Sequence, residues 1–223
     1  MTISKVSKSL VRVGGGRGFV VQELVNFRRR FIITAAHCLP SIPSHPGERR
    51  DWDETLQDLI GLLGAPPSVW AECLFADPIA DIAVLGAPDN QELSEQADAY
   101  EALVSSRMPL KVGGAMARDV SSAALVVALD GHLIHCAVRC LGGPLWIENL
   151  AEPIVGGMSG SPIVDQAGVA IGLISQSLES NGAFGGGPGP RLLTRLLGEF
   201  LISLRAIDAL NAENRQAQTR YAT

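Results

Sequence analysis

Gly156-Gly157-Met158-Ser159-Gly160-Ser161-Pro162 sets a serine among glycines, the composition a backbone needs to present a hydroxyl on a tight turn. With no Cβ, Gly157 and Gly160 let the chain bend sharply and let backbone N–H groups converge beside that hydroxyl, which makes Gly157 and Ser159 a candidate oxyanion hole. A G-x-S-G pattern by itself is ordinary loop material. Its chemistry depends on what the rest of the chain supplies. Upstream, Phe31-Ile32-Ile33-Thr34-Ala35-Ala36-His37-Cys38 ends an apolar run on a histidine, and Ala80-Asp81-Ile82-Ala83-Val84-Leu85 opens another on an aspartate. An imidazole can take the proton of a serine hydroxyl and a carboxylate can fix that imidazole's tautomer, so His37, Asp81 and Ser159 form the candidate catalytic set.

The chain order is informative. His, Asp, Ser is one of three unrelated orders in which such triads occur, the others being Asp, His, Ser and Ser, Asp, His. With T-A-A-H-C at Thr34 to Cys38, D-I-A-V-L at Asp81 to Leu85 and G-M-S-G-S-P at Gly157 to Pro162, the chain resembles the chymotrypsin/trypsin-like serine protease family. The resemblance extends to Arg17-Gly18-Phe19-Val20-Val21, as the strand entry before the histidine, and to Ile171-Gly172-Leu173-Ile174-Ser175, as the strand lining the cleft. It covers most of the chain, from about Val11 to about Leu204.

This resemblance implies an all-β fold of two six-stranded antiparallel β-barrels with a C-terminal α-helix, forming one peptidase domain. The N-terminal barrel is expected over about 8–90, a connection over about 90–109, the C-terminal barrel over about 110–193 and the helix over about 194–210. The implied activity is serine endopeptidase, through an acyl-enzyme and on a restricted set of protein substrates. A catalytically silent two-barrel binding module and a non-peptide acyl hydrolase are the alternatives. Family position puts Pro153, Ser175, Gln176 and Ser177 in the substrate pocket, with the run Gly185 to Pro190 nearby. Pro153 stands where trypsin-like members carry the acid that selects basic side chains, so cleavage after Lys or Arg is not implied. Arg191 falls near the pocket base, where a guanidinium suits an acidic side chain, although the glycines leave that register open by two residues.

One position departs from the secreted members. Met158 replaces the aspartate that pairs with a newly cut N-terminal amine, and a thioether forms no ion pair. The chain thus looks closer to the bacterial heat-shock-type branch, without its accessory binding domain. Control then falls to a regulatory protein partner, a loop rearrangement or an inhibitor.

Composition bounds the remaining possibilities. The 223 residues, 47% of them apolar, suffice for one large core or two smaller ones sharing an interface. A net charge of −5 leaves no nucleic-acid footprint, and Arg28-Arg29-Arg30 reads as a solvated hairpin tip. No apolar run suits a signal segment or a membrane span, which gives the expectation of a cytoplasmic protein with no membrane partner. The strand before His37 has no cysteine to pair with Cys38. If Cys136 and Cys140 lie on one extended strand they stand about 13 Å apart, so free thiols are expected. The same spacing separates His132, Cys136 and Cys140 too widely for one tetrahedral ion, and neither a metal nor another cofactor is expected.

Along the chain, Lys8 to Ile33 reads as strands and a hairpin, Pro40 to Arg50 as an exposed loop, and Trp52 to Leu63 as a short helix or a strand. Val69 to Phe75 and Asp81 to Leu85 read as strands, and Asp89 to Met108 as a polar, helix-favouring connection. Leu193, Leu196, Leu197, Phe200, Leu201, Leu204 and Ile207 recur at helical spacing, which predicts an amphipathic helix, followed by a polar end from Asn211 to Thr223; the resemblance implies that this helix docks on the other barrel.

Overall fold

A computed structural model describes residues 3–22, 29–41, 55–78, 81–89, 91–113, 120–140 and 145–175. The amphipathic segment near the C-terminus, the glycine-rich run, Gln176, Ser177 and Arg191 lie outside the described residues. So does any sixth strand of the second sheet.

A short helix, α1 (Ile3–Ser7), leads into six strands: β1 (Leu10–Val13), β2 (Gly16–Gln22), β3 (Arg30–Thr34), β4 (Thr55–Gly61), β5 (Val69–Asp77) and β6 (Ile82–Gly86). They close into an antiparallel barrel in the order β1-β2-β3-β6-β5-β4. The sequence over Trp52 to Leu63 had left helix and strand open; Thr55–Gly61 is a strand, pairing with both β5 and β1. Closure explains why β2, β3 and β6 read as near-continuous apolar runs. Phe19 pairs with Ile33 on one face of the wall and Ile32 with Leu85 on the other, and all four are fully buried, so both faces of these strands are covered rather than one being left to water.

The connection holds a helix, α2 (Ser94–Ser105). Its polar composition hides one anchor, Tyr100, which is fully buried and donates its hydroxyl to Leu85 O at 2.9 Å. Arg30 lies at the start of β3 and donates from one guanidinium nitrogen to Val104 O at 2.8 Å and Arg107 O at 3.0 Å. This corrects the expectation of a solvated basic tip at that residue. A cation on the carbonyls at a helix C-terminus is favoured by both hydrogen bonding and the helix dipole.

The second sheet comprises β7 (Ser121–Val127), β8 (Leu133–Cys140), β9 (Leu145–Glu148), β10 (Pro162–Asp165) and β11 (Ala170–Leu173), in the order β11-β10-β7-β8-β9. Ala124, Val126, Val138, Ile163 and Leu173 are buried in its core. Residues 110–113 stitch the two sheets together: Leu110 N–H donates to Val20 O on β2 at 2.9 Å, and Gly113 N–H to Ala170 O on β11 at 2.7 Å. Among the described residues, no helix is long and apolar enough to cross a membrane.

Candidate active site

His37 lies in a single 3-10 turn, Ala36–Cys38, directly after β3. The turn hangs from the barrel wall because Ala35 and Ala36 are fully buried, leaving the imidazole at the rim. Asp81 immediately precedes β6 and has φ of 54°, a left-handed conformation that aspartate tolerates better than most residues. That bend presents both carboxylate oxygens to one residue. Oδ1 accepts the His37 backbone N–H at 2.9 Å and Oδ2 pairs with His37 Nδ1 at 2.7 Å. Because β3 and β6 are paired, Thr34 against Ala83, the two side chains leave adjacent strand ends on the same rim.

The third group bonded to this carboxylate is the Ser175 hydroxyl, which donates to Asp81 Oδ2. Ser175 follows β11, so the bond joins the second sheet to the first barrel. The Ser175 carbonyl in turn accepts from Ser159 Oγ at 3.4 Å. A hydrogen-bonded path therefore runs Ser159, Ser175, Asp81, His37 across the groove between the sheets. Among the described residues, this is the hydrogen bond the Ser159 hydroxyl makes.

The electrostatics follow from the contacts. The hydrogen bond to Asp81 raises the His37 pKa from 6.5 to about 10; the neighbouring Cys38 side chain and the Asp81 charge add to the rise, and burial works against it. Burial pushes the Asp81 carboxyl up, but hydrogen bonds from His37 and Ser175 and the imidazolium charge outweigh it, and its pKa is lowered.

Around Ser159 the backbone is wound as the glycines require. Gly157 has φ of 87° and Gly160 of 79°. At Gly160 a methyl group would overlap the Arg17 carbonyl and stand 2.7 Å from Thr34 Oγ1, so the turn sits flush on β2 and β3. Arg17 N–H donates to Ser159 O at 2.8 Å, and Ile174 O accepts from Gly160 N–H at 2.6 Å. The Ser159 turn is thus held from both sides of the groove. Met158 N–H and Ser161 N–H are also engaged, with Val155 O and Met158 O. The N–H groups of Gly156, Gly157 and Ser159, among the described residues, donate to no protein acceptor. The two candidate oxyanion donors, Gly157 and Ser159, are therefore both unspent.

Met158 is buried, 1% exposed, and its Sδ accepts the Val155 N–H at 3.4 Å. Pro153 is exposed on the approach to this turn. The Ser175 hydroxyl contacts Asp81, a contact nothing in a lone serine after an apolar run would reveal. Away from the groove, His132 Nδ1 pairs with Asp130 at 2.6 Å and Nε2 with Glu152 at 3.0 Å, so both ring nitrogens are engaged. Cys38 and Cys136 are free thiols, and Cys73 Sγ donates to Phe75 O at 3.6 Å.

No protein-family model matches the chain, and no curated protein is similar to it in sequence. Solved structures are. The inactive form of the Rv3671c protease is similar over 86% of this chain and 86% of that one, at 15% identity and a TM-score of 0.49. A serine-to-alanine variant of Rv3671c from M. tuberculosis H37Rv, also inactive, is similar over 92% of this chain and 90% of that one, at 16% identity and a TM-score of 0.54. At such identity the likeness is one of fold. With the closed barrel and the curled five-stranded sheet, the architecture is the chymotrypsin-like two-barrel fold.

Proposed function

We propose that this chain is a serine endopeptidase, with Ser159 as nucleophile, His37 as general base and then acid, and Asp81 as the group that orients and charges the imidazole. The observation that carries the proposal is the hydrogen-bonded path from Ser159 through Ser175 and Asp81 to His37, beside two unspent N–H groups. The mechanism requires Ser159 Oγ to leave the Ser175 carbonyl by rotation about χ1 and bond to His37 Nε2. His37 accepts its proton as Oγ adds to a peptide carbonyl carbon, and the Gly157 and Ser159 N–H groups receive the charge on the carbonyl oxygen. His37 then gives the proton to the leaving nitrogen, the C–N bond breaks, and an ester to Ser159 remains. Water, deprotonated by His37, adds to that ester and expels Ser159, which regains its proton. Throughout, Asp81 keeps a proton on Nδ1.

The resting contact of Ser159 with Ser175 also fits a catalytically silent binding module of the same fold, and one experiment separates the two. A fluorophosphonate probe should label the wild-type chain and fail on Ser159→Ala, while peptide hydrolysis is lost in parallel. Labelling that is equal in both proteins sinks the proposal. Hydrolysis of activated esters without any peptide cleavage assigns the site to acyl transfer of another kind.

A further inference from the structure

Arg17 is 6% exposed, and its guanidinium is bound by two consecutive carbonyls of the turn between β7 and β8. One terminal nitrogen donates to Ala128 O at 2.8 Å and the other to Leu129 O at 2.6 Å. Among the described residues, no carboxylate stands within ion-pair distance of it. Burying a cation on neutral acceptors is costly, and burial lowers the Arg17 pKa while Asp130 opposes the change. A leucine or methionine would fill such a place at less cost, so the geometry the charge enforces is the feature to account for.

That geometry is specific to one spot. The turn is closed by Ala128 N–H to His132 O at 2.9 Å and Gly131 N–H to Ala128 O at 3.1 Å. Its Leu129 side chain, 48% exposed, ends 3.6 Å from where a Cβ of Gly157 would lie. Gly157 carries one of the two candidate oxyanion donors and, as a glycine, little in its own chemistry holds that peptide in one orientation. Meanwhile the Arg17 backbone is fixed to the nucleophile: its N–H donates to Ser159 O and its carbonyl accepts from Thr34 Oγ1 at 2.7 Å. One residue therefore grips the serine turn through its main chain and, through its side chain, the apolar group that backs the neighbouring peptide.

We propose that Arg17 is a positioning residue for the oxyanion donor at Gly157, holding the Ala128–Leu129 carbonyls so that Leu129 keeps the Gly157 N–H turned toward the reacting carbonyl. The inference rests on the endopeptidase reading of the same site. If the turn is released, the Gly157 peptide can rotate away and the transition state loses one of two donors, a loss that elsewhere costs on the order of a hundred- to a thousandfold in rate. Substrate binding in the ground state does not use that donor fully, so the loss should fall on kcat rather than KM.

The experiment compares Arg17→Met, Arg17→Lys and Leu129→Ala with the wild type on one peptide substrate, together with fluorophosphonate labelling rates and thermal melting. Arg17→Met should keep a cooperative transition and lose kcat by about a hundredfold with KM changed less than about threefold. Arg17→Lys, a single ammonium unable to span both carbonyls, should recover part of that loss. Leu129→Ala, on a half-exposed side chain, should show the same kcat-weighted loss with Arg17 intact. Wild-type kcat in a folded Arg17→Met, or a loss confined to KM, overturns the inference. Should Arg17→Met not fold, Leu129→Ala decides alone, and unchanged kcat there overturns it. A wild-type chain that neither labels nor cleaves sinks the endopeptidase reading and takes this inference with it. Labelling at wild-type rate in both variants sinks the inference only.

Discussion

The Ser175 hydroxyl and His37 Nδ1 share one carboxylate oxygen, Oδ2 of Asp81. Three donors therefore converge on Asp81, two from the His37 turn and one from the far side of the groove. The third donor does two things: it stabilises the ionised carboxylate, and it prevents that carboxylate from rotating away from the imidazole. Ser175→Ala should leave the fold intact and lower kcat/KM about tenfold, the scale of one hydrogen bond to a partly solvated charged group. The change should be visible both in peptide hydrolysis and in the rate of fluorophosphonate labelling. Wild-type rates in Ser175→Ala would mean that His37 alone holds Asp81 in place.

The raised His37 pKa has a definite sign in a rate profile. Only neutral imidazole can take the Ser159 proton, so activity grows as pH rises through the pKa of His37 in the free protein. With that value displaced upward from 6.5 toward about 10, the acid limb of kcat/KM should lie on the alkaline side of 6.5. Asp81→Asn removes the main cause of the rise. It should bring the limb back toward the ordinary imidazole value and cost roughly ten-thousandfold in kcat, as loss of the orienting carboxylate does in triads of this type. The stability linkage runs in the matching direction. The imidazolium's contribution is fully present below 6.5 and disappears as pH rises through the displaced value, whereas that of Asp81, whose pKa is lowered, is lost as pH falls through that lowered value. Melting followed from acid to alkaline pH should peak between those limits, and Asp81→Asn should flatten the peak.

Gly160 and Gly156 offer a contrast within one turn. A methyl on Gly160 would overlap the Arg17 carbonyl and would sit on a backbone with φ of 79°, whereas one on Gly156 meets open space. Gly160→Ala should therefore destabilise the fold by roughly 2–4 kcal/mol, combining backbone strain with a steric overlap that neither β2 nor the serine turn can relieve. Gly156→Ala should melt within about 0.5 kcal/mol of wild type, as substitutions in open positions usually do. Denaturant titration of the two variants measures the difference. Equal stabilities would mean that the serine turn is not seated on β2.

His37 and Asp81 were singled out because each terminates or begins an apolar run, and a run of that kind is a barrel strand whose end opens on the groove; Ser159 was singled out by the glycines that flank it. That His37 and Asp81 stand side by side depends on a pairing the sequence does not display, β3 with β6, and the seating of the Ser159 turn depends on hydrogen bonds with Arg17 and Ile174. Arg17, Arg30 and Tyr100 were hidden for a common reason. Each ends in a polar group, and each is wholly or partly buried on carbonyls from a distant segment: Ala128 and Leu129, Val104 and Arg107, and Leu85. Local pattern records which residues are apolar, but not which carbonyls a long polar side chain will find. Ser175 is the same case in miniature, since a serine after a strand has no feature that announces a carboxylate across the groove.

Met158 bears on how such a site is switched. In place of a carboxylate awaiting an amine there is a thioether, 1% exposed, whose sulfur takes the Val155 N–H and so ties the segment entering the turn to the residue before Ser159. Together with the bonds from Arg17 and to Ile174, this contact holds the turn without an ion pair at position 158. Met158→Asp puts an unpaired carboxylate into that buried position, and the desolvation cost should destabilise the protein by at least about 3 kcal/mol or force the turn open with loss of labelling at Ser159. Met158→Leu keeps the volume and removes only the sulfur acceptor, and should cost less than about 1.5 kcal/mol. Trimming residues from the N-terminus up to α1 should not raise activity. A rise on trimming, or a Met158→Asp protein as stable and as reactive as wild type, would show that the turn can be completed by a charge pair after all.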